Sequence, residues 1–217
     1  MKRNFVWLAA LAAGLATGGM VTWVMHEPPA KQEAARAPVA AFVPSLDNTT
    51  GFPNIKGGDF QLINQSGNER TSKDPEGRYQ LLFFGYAKCN AICSVALPNM
   101  TEAVSVLEGL GHTVTPVMVT VDPERDTVDA LADAMPAMHP RMVGLTGSED
   151  ALNAAYKAFQ IQKQFVFEHP DEGPVYTHGS FVYLLDGQGN FKTLFPPITS
   201  PVRIAEITSG YIAEGES

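Results

Sequence analysis

Cysteine is almost absent: only two of the 217 residues carry a thiol. Two are too few for a disulfide-stapled scaffold or an all-cysteine structural zinc site. A chain of this length can bury a sizeable core without staples. Basic residues are also short, 15 against 23 acidic, giving a net charge of −8. That balance argues against a dedicated nucleic-acid binder, which would present a basic stripe to the phosphates. No glycine-rich phosphate loop, Ser-His-Asp order or paired-carboxylate signature stands out, and no internal repeat recurs. What remains is 45% hydrophobic and 18% charged residues, the composition of a globular chain rather than a disordered one. The length suits one domain and an additional segment.

That segment is N-terminal. Lys2 and Arg3 precede an uncharged run from Asn4 to Met25, with Trp7 and Trp23 near its ends. About 20 apolar residues at ~1.5 Å each span the ~30 Å hydrocarbon core, and tryptophan favours its interfaces. The run therefore predicts a single-pass anchor over 1–25, with a cytoplasmic N-terminus and the rest outside. A cleaved signal sequence is the alternative, although its apolar region is usually only about 7–15 residues. No cysteine follows closely, which argues against bacterial lipid attachment. Beyond the run lie all 23 acidic and 13 of the 15 basic residues, a net of −10. Residues 26–53 hold Pro28, Pro29, Pro38 and Pro44 without sustained periodicity, and read as a semi-rigid tether.

The domain is expected over 54–217. Phe60–Asn64 alternates like a strand before the turn at Ser66-Gly67-Asn68, and Tyr79–Gly85 reads as a central strand buried on both faces. A helix is expected from Ala91 to Leu110, interrupted at Pro98, with Val95, Met100, Val104 and Leu107 near one face. Thr113–Val121 is strand-like, with Pro116 suggesting an edge or bulge. A helix from Thr127, a strand at Met142–Leu145 and a helix capped by Ser148 follow. Strands are then expected at Phe165–Glu168 and Ser180–Leu185, with a hairpin at Asp186–Gly189 into Phe191–Leu194 and a last helix from Pro201 to Ile212. Strands alternating with helices describe a mixed α/β sheet covered on both faces. A buried strand running into a helix that bears cysteines at its start is the thioredoxin-like layout, here with a β-hairpin insertion.

Cys89 and Cys93 stand four apart at that junction. On one helix turn their Cβ atoms would lie about 5–6 Å apart, close enough to share an ion or, with a small shift, to form a disulfide bond. A helix N-terminus and the neighbouring Lys88 both lower thiol pKa values. The pair is thus expected to be redox-active and a soft-metal ligand. An inert structural bridge is the weaker reading, because so short a loop removes little chain entropy.

Four runs in order, Phe83–Cys93 (FFGYAKCNAIC), Val121–Thr127 (VDPERDT), Gly144–Gly147 (GLTG) and His178–Asp186 (HGSFVYLLD), resemble the Sco/SenC family. The similarity covers about Gly57 to Tyr211. That family comprises membrane-anchored copper chaperones and thiol-disulfide proteins of cytochrome c oxidase assembly. The resemblance implies that Cys89, Cys93 and His178 hold one copper ion, and two thiolates with an imidazole suit Cu(I) and can hold Cu(II). His178 is expected at a strand start after a polar loop, 169–177, from which it could swing over the cysteines. Thr177-His178 lacks the cis-proline that thioredoxins carry at the comparable place. The implied partners are a cytochrome c oxidase subunit with a copper site and other copper chaperones. The implied location is the periplasmic side of the inner membrane, or the intermembrane-space side of a mitochondrion.

The chain departs from the family pattern at Asn90, Ala91 and Ser94, where Pro, Asp and Pro are usual, at Lys88 in place of His, and at Thr177 in place of Asp. Losing the acidic residue should lower the thiol pKa values. Elsewhere, His112 reads as solvated, and His139 and His169 as surface residues, each extended before a proline. Met135, Met138 and Met142 are expected in the core rather than on a second soft metal. The turn Asp122–Asp126 reads either as a capped helix start or as a partner surface near the copper loop. A metallochaperone, which is not an enzyme, is the first functional expectation. A thiol-disulfide oxidoreductase using the same cysteine pair is the second. A peroxidase ranks last, since Tyr86 stands where a threonine is needed.

Overall fold

The computed structural model describes residue 55 and residues 57–88, 93–171 and 173–215, with Cys93 described by its backbone alone. The expected anchor (1–25), the tether (26–53), Cys89, Asn90, Ala91 and the Cys93 side chain lie outside the described residues. Among those residues, no helix is long and apolar enough to cross a membrane.

Nine strands and four helices follow one another along the described chain. β1 (Gln61–Asn64) and β2 (Glu69–Thr71) form a hairpin, followed by β3 (Gln80–Gly85) and α1 (Cys93–Gly109). β4 (Thr115–Thr120), α2 (Val128–Met138), β5 (Val143–Thr146) and α3 (Glu149–Ala158) come next. β6 (Gln164–His169) and β7 (Gly173–Thr177) make a separate two-stranded hairpin. β8 (Val182–Leu185), β9 (Phe191–Phe195) and α4 (Pro201–Gly215) complete the domain. The seven-stranded sheet runs β2-β1-β5-β4-β3-β8-β9, with β3, β4 and β5 parallel and β1, β8 and β9 antiparallel to their neighbours.

The apolar runs explain which strands lie in the middle. All six residues of β3 and all six of β4 are buried, as strands covered on both faces must be. Phe83, Met118 and Gly144 are aligned across three strands and share a face. A Cβ on Gly144 would lie 2.8 Å from Met135 of α2, so α2 presses on that face. α1 packs along α4 and also meets α2, and therefore covers the same side. Phe84 points the other way, with ring centroids 6.1 Å from Tyr156 and 5.4 Å from Phe159 at the end of α3. Helices thus cover both faces, as the sequence predicts.

Three expectations change. Pro116 lies within the central strand β4, not at an edge. The N–H of Thr115 bonds to the Tyr79 carbonyl on the β3 side, so the proline nitrogen faces β5, whose pairing begins only at Val117. Val95 is 40% exposed, while Ala96, Met100, Ala103, Val104 and Leu107 are buried. Five residues separate Val95 from Met100, which at ~3.6 residues per turn puts them on different sides of α1. The supposed loop 169–177 contains β7, so His178 follows the second strand of a hairpin. The expected Ser148 cap is present, accepting the Ala151 N–H at 3.3 Å, and Thr127 caps α2 by accepting the Ala130 N–H at 3.3 Å.

Candidate metal centre

The central strand β3 delivers the chain to the site. Its last residue is Gly85, and Tyr86, Ala87 and Lys88 lead to Cys89, while α1 begins at Cys93. Cys93 therefore occupies a helix N-terminus, where the macrodipole favours a thiolate. Cys89 precedes the described helix, so the expected sharing of one helix face rests on residues that are not described. Lys88 is exposed, as is Thr177 beside His178.

His178 reaches the same end of β3 from the other side. It lies in the short connection between β7 and β8, and β8 pairs with β3. Its ring is held edge-on to two aromatic residues, with centroids 5.9 Å from Phe83 and 5.9 Å from Tyr86. Nδ1 lies 3.0 Å from the Gly179 carbonyl. A carbonyl can only accept, so in that contact it is Nδ1–H that donates. Burial pushes the His178 pKa below its usual value, outweighing the Gly179 and Phe84 carbonyls that favour the charged form. Burial thus favours the neutral imidazole, the form a metal requires.

The turn between β4 and α2 joins the two arms. It caps no helix with Asp126; that part falls to Thr127. Asp126 instead accepts the Thr120 hydroxyl at 2.7 Å and the Ala87 N–H at 3.1 Å, two residues before Cys89. Asp122 pairs with Arg125, whose guanidinium sits 5.2 Å from the centre of the Tyr86 ring and donates to the Pro174 carbonyl of β7 at 2.7 Å. Through the family resemblance the sequence placed the Asp122–Asp126 turn near the copper loop, but as a partner surface, and it assigned Tyr86, Arg125 and Asp126 no part in holding the site. The available signal was a cluster of charges, Asp122, Arg125 and Asp126, directly after a strand too apolar to leave them solvated.

Among the described residues, the other histidines do not gather here. His139 is buried, at 8% exposure, rather than at the surface. Its Nδ1 accepts the Arg141 N–H at 3.1 Å and its Nε2 lies 3.7 Å from Glu108. His169 ends β6, with Nδ1 accepting the Asp171 N–H. Met135 and Met142 are core residues and Met138 packs against them.

A mixed sheet whose central strand runs into a Cys-x-x-x-Cys helix start, with a histidine brought up from the adjoining strand, defines a thioredoxin-like protein. The SCO1/SenC family model matches residues 48–213, and the chain belongs to that family. It is 36% identical over 160 residues to a SCO2-like protein of Rickettsia felis, covering 72% of this chain and 78% of that one. It is 32% identical over 151 residues to Protein SenC of Rhodobacter capsulatus, covering 69% and 67%. The crystal structure of Arabidopsis thaliana ScoI with copper bound superposes with a TM-score of 0.68 at 28% identity, covering 73% of this chain and 98% of that chain.

Proposed function

We propose that the chain is a membrane-tethered copper metallochaperone of cytochrome c oxidase assembly, with copper as its cargo on Cys89, Cys93 and His178. The observation that carries this reading is His178. It is an aromatic-packed imidazole with Nδ1 against a carbonyl, beside the strand that leads into the cysteine loop. A relative of the same fold is known with copper bound. Two thiolates and one imidazole suit Cu(I) and can hold Cu(II). Delivery then proceeds by ligand exchange, in which a partner's thiols replace the donor's one at a time. The apolar run 4–25 would anchor the domain on the periplasmic side of the membrane, and the partner would be an oxidase subunit carrying a copper site. Titrating the reduced full-length protein with Cu(I) tests the reading: one equivalent should bind, and Cys89→Ser or Cys93→Ser should abolish tight uptake.

A second reading, thiol-disulfide exchange on the oxidase's copper-site cysteines, is favoured by the position of Cys93 at the first turn of α1. A helix N-terminus lowers thiol pKa and so makes a better attacking group. Here a single-cysteine variant should trap the partner as a mixed disulfide, and His178→Ala should remain active. Failure of both single-cysteine variants to trap a partner would exclude it.

A further inference from the structure

Among the described residues, the buried charge beside the site lies in one turn. Asp122 and Asp126 are 1% and 3% exposed, and a carboxylate so placed costs several kcal/mol unless it is fully partnered. Their partners lie on two different parts of the molecule. Asp126 takes the Ala87 N–H and the Thr120 hydroxyl, which fixes the backbone where β3 becomes the cysteine loop. Asp122 orients Arg125, and Arg125 binds the Pro174 carbonyl while lying over Tyr86. Pro174 belongs to β7, the strand that runs directly into His178, and the Tyr86 ring also touches His178. Gly173 leaves room for this contact: it has φ +77°, and a Cβ there would stand 2.9 Å from Arg125 Nη1.

We propose that Arg125 and Asp126 are positioning residues, a two-armed bracket that sets the cysteine half of the metal site against the histidine half. Arg125 acts on His178 through β7 and Tyr86; Asp126 acts on the cysteines through the Ala87 amide. The proposal rests on the three-ligand copper reading for its purpose, but its geometry is independent of it.

The test uses the full-length protein in detergent, as the parent and as Arg125→Ala, Arg125→Lys and Asp126→Asn. With Cu(II) as the probe, affinity and the electron paramagnetic resonance spectrum are recorded. On the metal-free protein, the His178 ring resonances and the alkylation rate of the thiols at fixed pH are recorded. Arg125→Ala should weaken copper binding about tenfold, the lower end for loss of a group that orients a ligand. It should also alter the nitrogen hyperfine pattern and the His178 resonances while leaving the alkylation rate unchanged. Arg125→Lys should recover part of the loss, since an ammonium can reach one carbonyl but cannot also lie flat on Tyr86 and pair side-on with Asp122. Asp126→Asn should change the alkylation rate and leave the His178 resonances as they are. The bracket is overturned if both variants match the parent in all readings, or if both disturb both halves equally, as general loosening would. Should the parent take up no copper, the chaperone reading fails, and the two metal-free readings still decide the bracket.

Discussion

His139 and His178 share one perturbation, burial, in different surroundings. His178 is packed against Phe83 and Tyr86, and His139 is buried behind Glu108 and Arg141. Burial lowers both pKa values from the ordinary 6.5. A histidine that resists protonation when folded but accepts it when unfolded destabilises the fold in acid. The unfolded chain binds the extra protons below about pH 6.5, so stability should be full above that pH and fall as pH drops toward the folded values. Urea midpoints of the metal-free protein between pH 7.5 and about 5 should show this decline, and His139→Gln should flatten it. A midpoint that rises on acidification over that range would contradict the burial of both rings. The candidate ligands Cys89, Cys93 and His178 were singled out by the recognisable runs in which they stand. The aromatic surroundings of His178 were not legible there: Phe83 and Tyr86 lie on another strand, and only the β3–β8 pairing brings them alongside.

At the scale of elements, continuous apolar runs and caps were the readable signals. β3, β4 and the Ser148 cap all appear where the pattern placed them. Two of the misreadings share one cause, which is that neighbours override local preference. Pro116 survives in a central strand because its missing N–H faces a place where β5 has not yet begun. β7 was hidden because Gly173 and Pro174 signal a loop, yet pairing with β6 makes them a strand. That hairpin leaves Phe165, Val166 and Phe167 exposed. Under the main sheet, Phe84 is fully buried among Tyr156, Phe159 and Tyr183. Phe84→Ala should therefore lower stability by about 3–5 kcal/mol, read as a shift of the chemical-denaturation midpoint. Gly144→Ala forces a Cβ to within 2.8 Å of buried Met135 and should cost roughly 1–3 kcal/mol by overpacking. Parent-like midpoints for these two variants would mean that the sheet faces are assigned wrongly.

On the scale of the whole molecule, the chain leaves one end of the central strand β3 toward the two cysteines and enters α1 at Cys93. A histidine on the adjoining strand connection and a charged turn between them complete that end. The family is shared with proteins that cover most of this chain; the departures at Asn90, Ala91 and Ser94 fall in the cysteine loop and around the start of α1. The acidic balance of −10 beyond the apolar run suits a partner with a basic docking face, since complementary charge raises encounter rates. Raising the salt concentration should therefore slow copper transfer to such a partner while leaving copper affinity unchanged. Everything functional in this account depends on His178 acting as a ligand beside the two cysteines. The most direct measurement is the copper affinity of full-length His178→Ala against the parent. We expect one equivalent on the parent and an affinity at least about tenfold weaker in the variant, whereas equally tight binding by His178→Ala would contradict the three-ligand site.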